Sequence, residues 1–213
     1  MRILLWTLCL SGCAYYVDAP ELAGVDFSPG PSQVVVTGSV TQSSDGEPAA
    51  WDEQVEFYFR KVGAKRIYRV ASADFRLPIF GGPHEVLADP GLEAEHGRLF
   101  AIPLEPGEYE LVRFSIRWPS GVEQFLKDPI PFTLAPGQAV YLGNFDARFC
   151  VRHLYANQYG VAGVYLSVQE KMSRDLPLLY AKYPVLKDMM LMAQVLPDKM
   201  LKSRFSALQE DCD

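Results

Sequence analysis

The chain has no basic run and no long apolar stretch beyond its first dozen residues. It also has few histidines and few cysteines. Twenty Lys+Arg stand against 26 Asp+Glu, a formal net charge of -6. Nucleic-acid binding relies on clustered positive charge to displace counterions, so that partner class is excluded. A membrane-spanning helix needs about 20 consecutive apolar residues, and no segment after the amino terminus reaches that length. There is no Gly-x-Ser-x-Gly elbow, no P-loop and no Gly-x-Gly-x-x-Gly, so the local signatures of serine hydrolases and nucleotide binders are missing. The 3 His and 4 Cys include no Cys-x-x-Cys and no paired ligand spacing, which leaves no zinc-type set. Gly and Pro, 16 each, are too few for a collagen-like or low-complexity chain. What is present is ordinary for a globular protein: 213 residues, 49% hydrophobic, 12% aromatic and 22% charged. That suits one domain, or one domain with an appendage.

The amino terminus reads MRILLWTLCLSGC. Arg2 is a short positive region, and Ile3 to Leu10 is an apolar run broken only by Thr7. Such a run is too short to span a bilayer and fits the core of a secretory signal. Leu10-Ser11-Gly12-Cys13 resembles the lipobox of bacterial lipoproteins. Small residues at 11 and 12 let an extended backbone enter a peptidase, and Cys13 offers the thiol to be alkylated. The resemblance implies removal of residues 1–12, acylation of Cys13 and attachment to a lipid bilayer. Each buried CH₂ contributes about 0.8 kcal/mol, so two or three acyl chains hold durably. Ala14, and not Asp, follows the cysteine. By resemblance to Gram-negative lipoprotein sorting this favours the outer membrane, facing the periplasm. Residues 14–32 lack any period and contain Pro20, Pro29 and Pro31. They read as a tether from Cys13 that, at about 3.1 Å per residue, reaches roughly 60 Å when extended.

With Cys9 removed and Cys13 acylated, Cys150 and Cys212 remain. An even remainder in an oxidising compartment suggests a disulfide between them. It would close a loop of about 60 residues, which chain-entropy arithmetic values at roughly 4 kcal/mol less strain.

From Gln33 the pattern is that of strands. Residues 33–41, 54–62, 66–71, 98–104, 109–118, 122–126, 130–134, 138–149 and 161–170 alternate or are rich in β-branched and aromatic residues. Val55, Phe57 and Phe59 point one way, Glu56, Tyr58 and Arg60 the other. Val112, Phe114, Ile116 and Trp118 read as inward, Arg113, Ser115 and Arg117 as outward. Gly143 permits a bulge. Residues 78–97 form a long irregular segment, and loops of that length are often functional. From Ser173 the period becomes 3.6. Ser173 or Asp175 can cap a helix, and Leu176, Leu179, Tyr180 and Tyr183 make one stripe. The Met-rich 185–196 and then 198–211 read as further helices.

Leu104-Glu105-Pro106-Gly107-Glu108 recurs as Leu134-Ala135-Pro136-Gly137-Gln138, each copy just before a strand. Pro then Gly is type II turn chemistry. The stretch LEPGEYELVRFSIRW resembles the strand start of transthyretin-like or carboxypeptidase-regulatory-like β-sandwiches, and the second copy resembles bacterial lipoproteins of unknown function built on that sandwich. The resemblance covers residues 33–170. It implies a binding or presenting module more than a catalyst. The expectation is therefore a mainly β chain: an antiparallel β-sandwich (transthyretin/Ig-like) at 33–170, followed by an α-helical appendage at 171–213.

Candidate chemistry is sparse. His84, Asp89 and His96 could be drawn as a metal set beside Glu85, Glu93 and Glu95, yet nothing in their spacing enforces convergence. A solvated acidic loop explains them as well. His153 beside Arg152 and Tyr155 reads as surface or packing. Arg113, Arg117 and Arg148 could form a mild basic patch. Glu108 and Glu110 share a strand face, as solvated carboxylates do. Met189, Met190, Met192 and Met200 could make an adaptable binding surface or cover the sandwich. No catalytic, cofactor or metal residue is assigned. The expected role is a lipid-anchored envelope module that contacts another envelope protein or polymer. The alternatives are an envelope hydrolase or metal-dependent enzyme using residues 78–97, and a carrier of small apolar ligands.

Overall fold

The computed structural model describes residues 15–18, 32–45, 54–72, 88–117, 122–155, 158–197 and 201–204. Eleven strands and one α-helix lie among them. In chain order the strands are β1 (Tyr15–Asp18), β2 (Val34–Asp45), β3 (Gln54–Lys61), β4 (Arg66–Ala71), β5 (Arg98–Leu104) and β6 (Gly107–Arg117). Then come β7 (Val122–Leu134), β8 (Gln138–Tyr155), β9 (Gln158–Gln169), α1 (Met172–Lys182), β10 (Met190–Ala193) and β11 (Leu201–Arg204). The chain is mainly β, as expected.

The strands form two sheets. The first has the order β1-β4-β3-β6-β7. The second runs β11-β9-β8-β2-β5, with β10 also paired to β8. Most pairings are antiparallel, but β1 with β4, β2 with β8 and β10 with β8 are parallel. Period-2 alternation sends one side of each strand into a shared core. Val34, Val36 and Val40 of β2, Val55, Phe57 and Phe59 of β3, and Val140, Leu142, Phe145 and Phe149 of β8 all belong to it. Phe57 of the first sheet meets Phe145 of the second at 4.9 Å between ring centroids. Phe59 lies between Tyr68 and Phe132 at 5.6 and 6.2 Å. Burying one such side chain contributes about 1.5–3 kcal/mol, so this layer is what joins the sheets.

The register shifts between β2 and β8, β3 and β6, β6 and β7, and β8 and β9. Opposite Gly38 of β2 the partner β8 carries two residues, Leu142 and Gly143, and the pairing shifts between Thr37 and Ser39. Gly143 has φ 117, so the expected bulge is present. A Cβ on Gly38 would lie 2.6 Å from both the Gly143 carbonyl and the Phe100 ring. Gly38→Ala should therefore cost about 2 kcal/mol or more through overpacking, read as a lower urea midpoint at unchanged slope. A midpoint equal to wild type would show that the bulge relaxes freely. In β6 the pairing shifts between Leu111 and Arg113. Val112 thus leaves the inter-sheet core and joins Tyr58 and Ile67 on the outer face, while Phe114 and Ile116 stay inside as expected. The β7 side of this shift is the longer one. Residues 122–126 and 130–134, read as two short strands, are one edge strand, β7, that absorbs Asp128-Pro129 in the same shift. An edge strand tolerates the donor missing at Pro129 and Pro131.

The two Pro-Gly turns differ. Gly137 has φ 74, the value type II chemistry asks for, whereas Gly107 has φ 144. In the first copy Tyr109 is 1% exposed, and its hydroxyl reaches back to donate to the Glu105 carbonyl at 2.9 Å. This is the logic of a tyrosine corner. Burial pushes that phenol up to about 12.

The carboxyl-terminal segment 171–213 departs from the helical expectation. Among its described residues only α1 is α-helical, followed by a 3-10 turn over Pro184–Asp188. Within the Met-rich 185–196, residues Met190–Ala193 are strand β10, parallel to the start of β8. Within 198–211, Leu201–Arg204 are strand β11, antiparallel to β9. The segment between Pro184 and Pro197 pairs as a strand because the open side of β8 offers ladder partners, which no local period signals. β10 fills the place beside Gln138–Tyr141 that β9, which starts its pairing at Asn144, leaves open. Beyond it the Gln194 backbone N–H donates to the Tyr141 carbonyl at 2.9 Å and the Leu196 N–H to the Leu142 carbonyl at 3.0 Å. The segment is thus knitted into the sandwich. Of residues 14–32, read as a tether, Tyr15–Asp18 form strand β1, and residues 14 and 19–31 lie outside the described ones.

Candidate functional site

α1 lies on the outer face of the second sheet. Leu179, Tyr183 and Leu186 pack there on Val35, Ala101, Ala139 and Tyr141, all buried. The helix begins after Lys171, and no side chain caps it. Ser173 and Asp175 are therefore not caps. Asp175 lies one turn before Leu179 on the same face and is fully buried.

That carboxylate is the centre of a polar cluster. Its Oδ2 accepts from Ser39 Oγ at 2.5 Å and from the Tyr141 hydroxyl at 2.7 Å. Its Oδ1 accepts from Arg174 Nε at 2.7 Å. Arg174 also donates to Glu95 and, through Nη2, to Ser39 at 3.2 Å. Asn144 Nδ2 donates to Ser39 at 2.8 Å and to Thr41 at 3.0 Å. Thr41 donates to Asp146 Oδ1 at 2.8 Å. Burial, then the Asp175 contact, push the Tyr141 phenol far up. Burial alone would lower Arg174, but Asp175 and Glu95 outweigh it and raise it. A buried carboxylate is stable only with such a set of donors. The cluster ties β2, β8, the 88–97 segment and the helix together. Serine, carboxylate and tyrosine are all buried.

Asp146 gives this cluster a pH signature. Burial raises its carboxyl, and the Thr41 hydrogen bond offsets part of that. The folded chain thus keeps a proton that the unfolded chain has released. The stabilisation is complete below the unfolded carboxylate pKa of about 3.9 and is lost as pH rises through the raised native value. The melting temperature of wild type relative to Asp146→Asn should therefore climb as pH drops from 7 toward 4. A relative decline over that range would contradict the assignment.

A second cluster sits on the outer face of the first sheet. Glu56 is 1% exposed. It accepts from Tyr58 at 2.5 Å, from Ser115 at 2.8 Å and from Arg69 Nη1 at 2.6 Å. The Arg113 guanidinium lies 3.9 Å from the Tyr58 ring centroid, a cation–π contact. Arg113 was expected to be an outward surface residue; it points outward but is 4% exposed. Arg148 is exposed on β8 of the other sheet, so the two belong to opposite faces and form no common patch. The Arg117 side chain lies outside the described residues. Glu110, expected as a solvated carboxylate beside Glu108, is bonded to Arg60 at 2.8 Å.

The described end of the 78–97 segment is docked, in contrast to a solvated loop. Leu92 is 1% exposed. Asp89 Oδ2 accepts from Lys182 at 2.7 Å and from the Leu99 N–H at 2.6 Å, while Glu95 binds Arg174. His96 adopts a left-handed conformation, φ 40, and burial lowers its pKa. His84 and Glu85 lie outside the described residues, as do the side chains of Arg152, His153 and Tyr155. Among the described residues no group of three or more His, Cys, Asp or Glu could hold a metal ion.

Of the cysteines, Cys9, Cys13 and Cys212 lie outside the described residues. Cys150 sits in β8, fully buried and disulfide-bonded. Met200 is also outside. Met190 and Met192 are exposed on β10, and Met189 packs partly against the helix cluster. The chain matches no family model, no curated protein and no solved structure.

Sequence reasoning missed Asp175. The signal was there: 175, 179 and 183 share one helix face, and Thr37, Ser39 and Thr41 put a row of hydroxyls on the outer side of β2.

Proposed function

We propose that the chain is a lipid-anchored protein of a bacterial cell envelope that acts as a non-enzymatic interaction or scaffold module. The observation that carries this reading is the buried, disulfide-bonded Cys150. Structural disulfides persist in oxidising compartments outside the cytosol, the destination that Leu10-Ser11-Gly12-Cys13 also implies. In a Gram-negative cell the site would be the outer membrane, facing the periplasm. The bridge joins Cys150 to Cys212 on this reading. The partner is another envelope protein or polymer.

The sandwich is of the transthyretin-like kind on this reading. Counting from β2, the first strand lies between the fourth and the seventh, in the sheet β9-β8-β2-β5, and the second lies in the other sheet. Immunoglobulin constant domains instead keep their first two strands in one sheet, so the order supports the transthyretin-like alternative. Fractionation tests the anchor. The wild type should pellet with membranes and Cys13→Ala should move to the soluble fraction. A variant that still pellets would overturn the anchor.

The carrier alternative drew on Met-rich helices, where the structure has β10. The enzyme alternative drew on loop carboxylates, two of which are paired with Lys182 and Arg174. Neither gains a supporting observation.

A further inference from the structure

We propose that the end of the sandwich bearing the β3–β4 turn is a membrane-facing surface, resting on the headgroups of the bilayer that holds Cys13. This rests on the anchor reading above. β1 starts at Tyr15, two residues past Cys13, about 7 Å of extended chain. It is hydrogen-bonded as the edge strand of the first sheet, parallel to β4, with Tyr15 opposite Arg66. The chain before Tyr15 therefore leaves the sheet at the same end as the chain before Arg66, which is the turn at 62–65. On the anchor reading, the acylated residue stands two positions before this end of β1, so no long tether separates it from the domain.

The same end carries the exposed apolar side chains. The Val62 N–H bonds the Glu108 carbonyl near the start of β6. Short connections at 105–106 and 135–137 link the sheets there, and Met190 lies opposite Gln138 at the start of β8. The large apolar residues exposed among the described residues are Val62, Met190 and Met192, at 53, 59 and 45%. The first two lie at this end, and Met192 lies two residues along β10. Lys65 and Arg66, next to the anchor, are exposed cations. Glu105 and Glu108 are on the far side of β3, and Lys61 engages Glu105 at 3.1 Å. Gly63 at the tip has φ 77 with open space about it. Aliphatic groups flanked by cations beside an acyl anchor fit the boundary of an anionic membrane.

The test uses the full-length acylated protein in vesicles of phosphatidylethanolamine and phosphatidylglycerol. A fluorescent amino acid is placed at Val62, or at Ser44, ten residues along β2 from Val34 and so about 33 Å away. Nitroxide-headgroup lipid should quench position 62 at least roughly threefold more than position 44. Lys65→Glu/Arg66→Glu should roughly halve the quenching at 62 while the protein stays with the vesicles. In unlabelled wild type the 62–66 amides should exchange more slowly on vesicles than in soluble Cys13→Ala. Equal quenching at both positions, or equal exchange, with acyl chains found on Cys13 would overturn the surface and leave the anchor standing. Absence of acyl chains would overturn both.

Discussion

Asp175→Ala should lower the melting temperature by roughly 10 °C. The carboxylate is fully buried and accepts from Ser39, Tyr141 and Arg174, so its removal strands three donors. Breaking a buried charge pair from one side costs about 3–5 kcal/mol. The lower end applies because Arg174 keeps about a quarter of its side-chain surface in water and retains Glu95. About 3 kcal/mol in a domain of this size is roughly 10 °C. Tyr141→Phe removes one bond to Asp175 and should cost about 1 kcal/mol; Ser39→Ala also takes an acceptor from Asn144 and Arg174 and should cost more. Their combination with Asp175→Ala should add less than the sum, since the three share one acceptor. Hydrogen exchange should show α1 losing protection first. A loss under about 1 kcal/mol for Asp175→Ala would mean that apolar packing of Leu179, Tyr183 and Leu186 alone holds the helix.

The disulfide carries the second large effect. Closing about 60 residues is worth roughly 4 kcal/mol in the chain-entropy account. Reductant, or Cys212→Ser, should therefore lower the melting temperature of the wild type by about 10 °C or more, and the two treatments together should do no more than either. Equal melting temperatures with and without reductant would remove the bridge as a stabilising element. A drop with reductant but none in Cys212→Ser would assign Cys150 a different partner.

Much of the sandwich was legible in the sequence because its signal is local. Arg66–Ala71 and Arg98–Leu104 are strands over the bounds that alternation gives. The Gly143 bulge also follows from a single residue type. What was not legible depends on distant pairing. Met190–Ala193 has no period that separates strand from helix; it is a strand because β8 has an unfilled edge. Val112 reads as inward by strict alternation, and the shift at Leu111/Arg113 that turns it outward is a joint property of β6 and its two neighbours, β3 and β7. Asp175 was read as a helix cap, the commonest role of Asp near a helix start, yet its partners lie on β2 and β8, more than thirty residues away.

The most direct measurement is mass spectrometry of the N-terminal peptide from protein purified out of the membrane fraction. The account predicts a peptide that begins at Cys13 and bears acyl chains on it. A peptide that retains residues 1–12, or a Cys13 free of lipid, would contradict it.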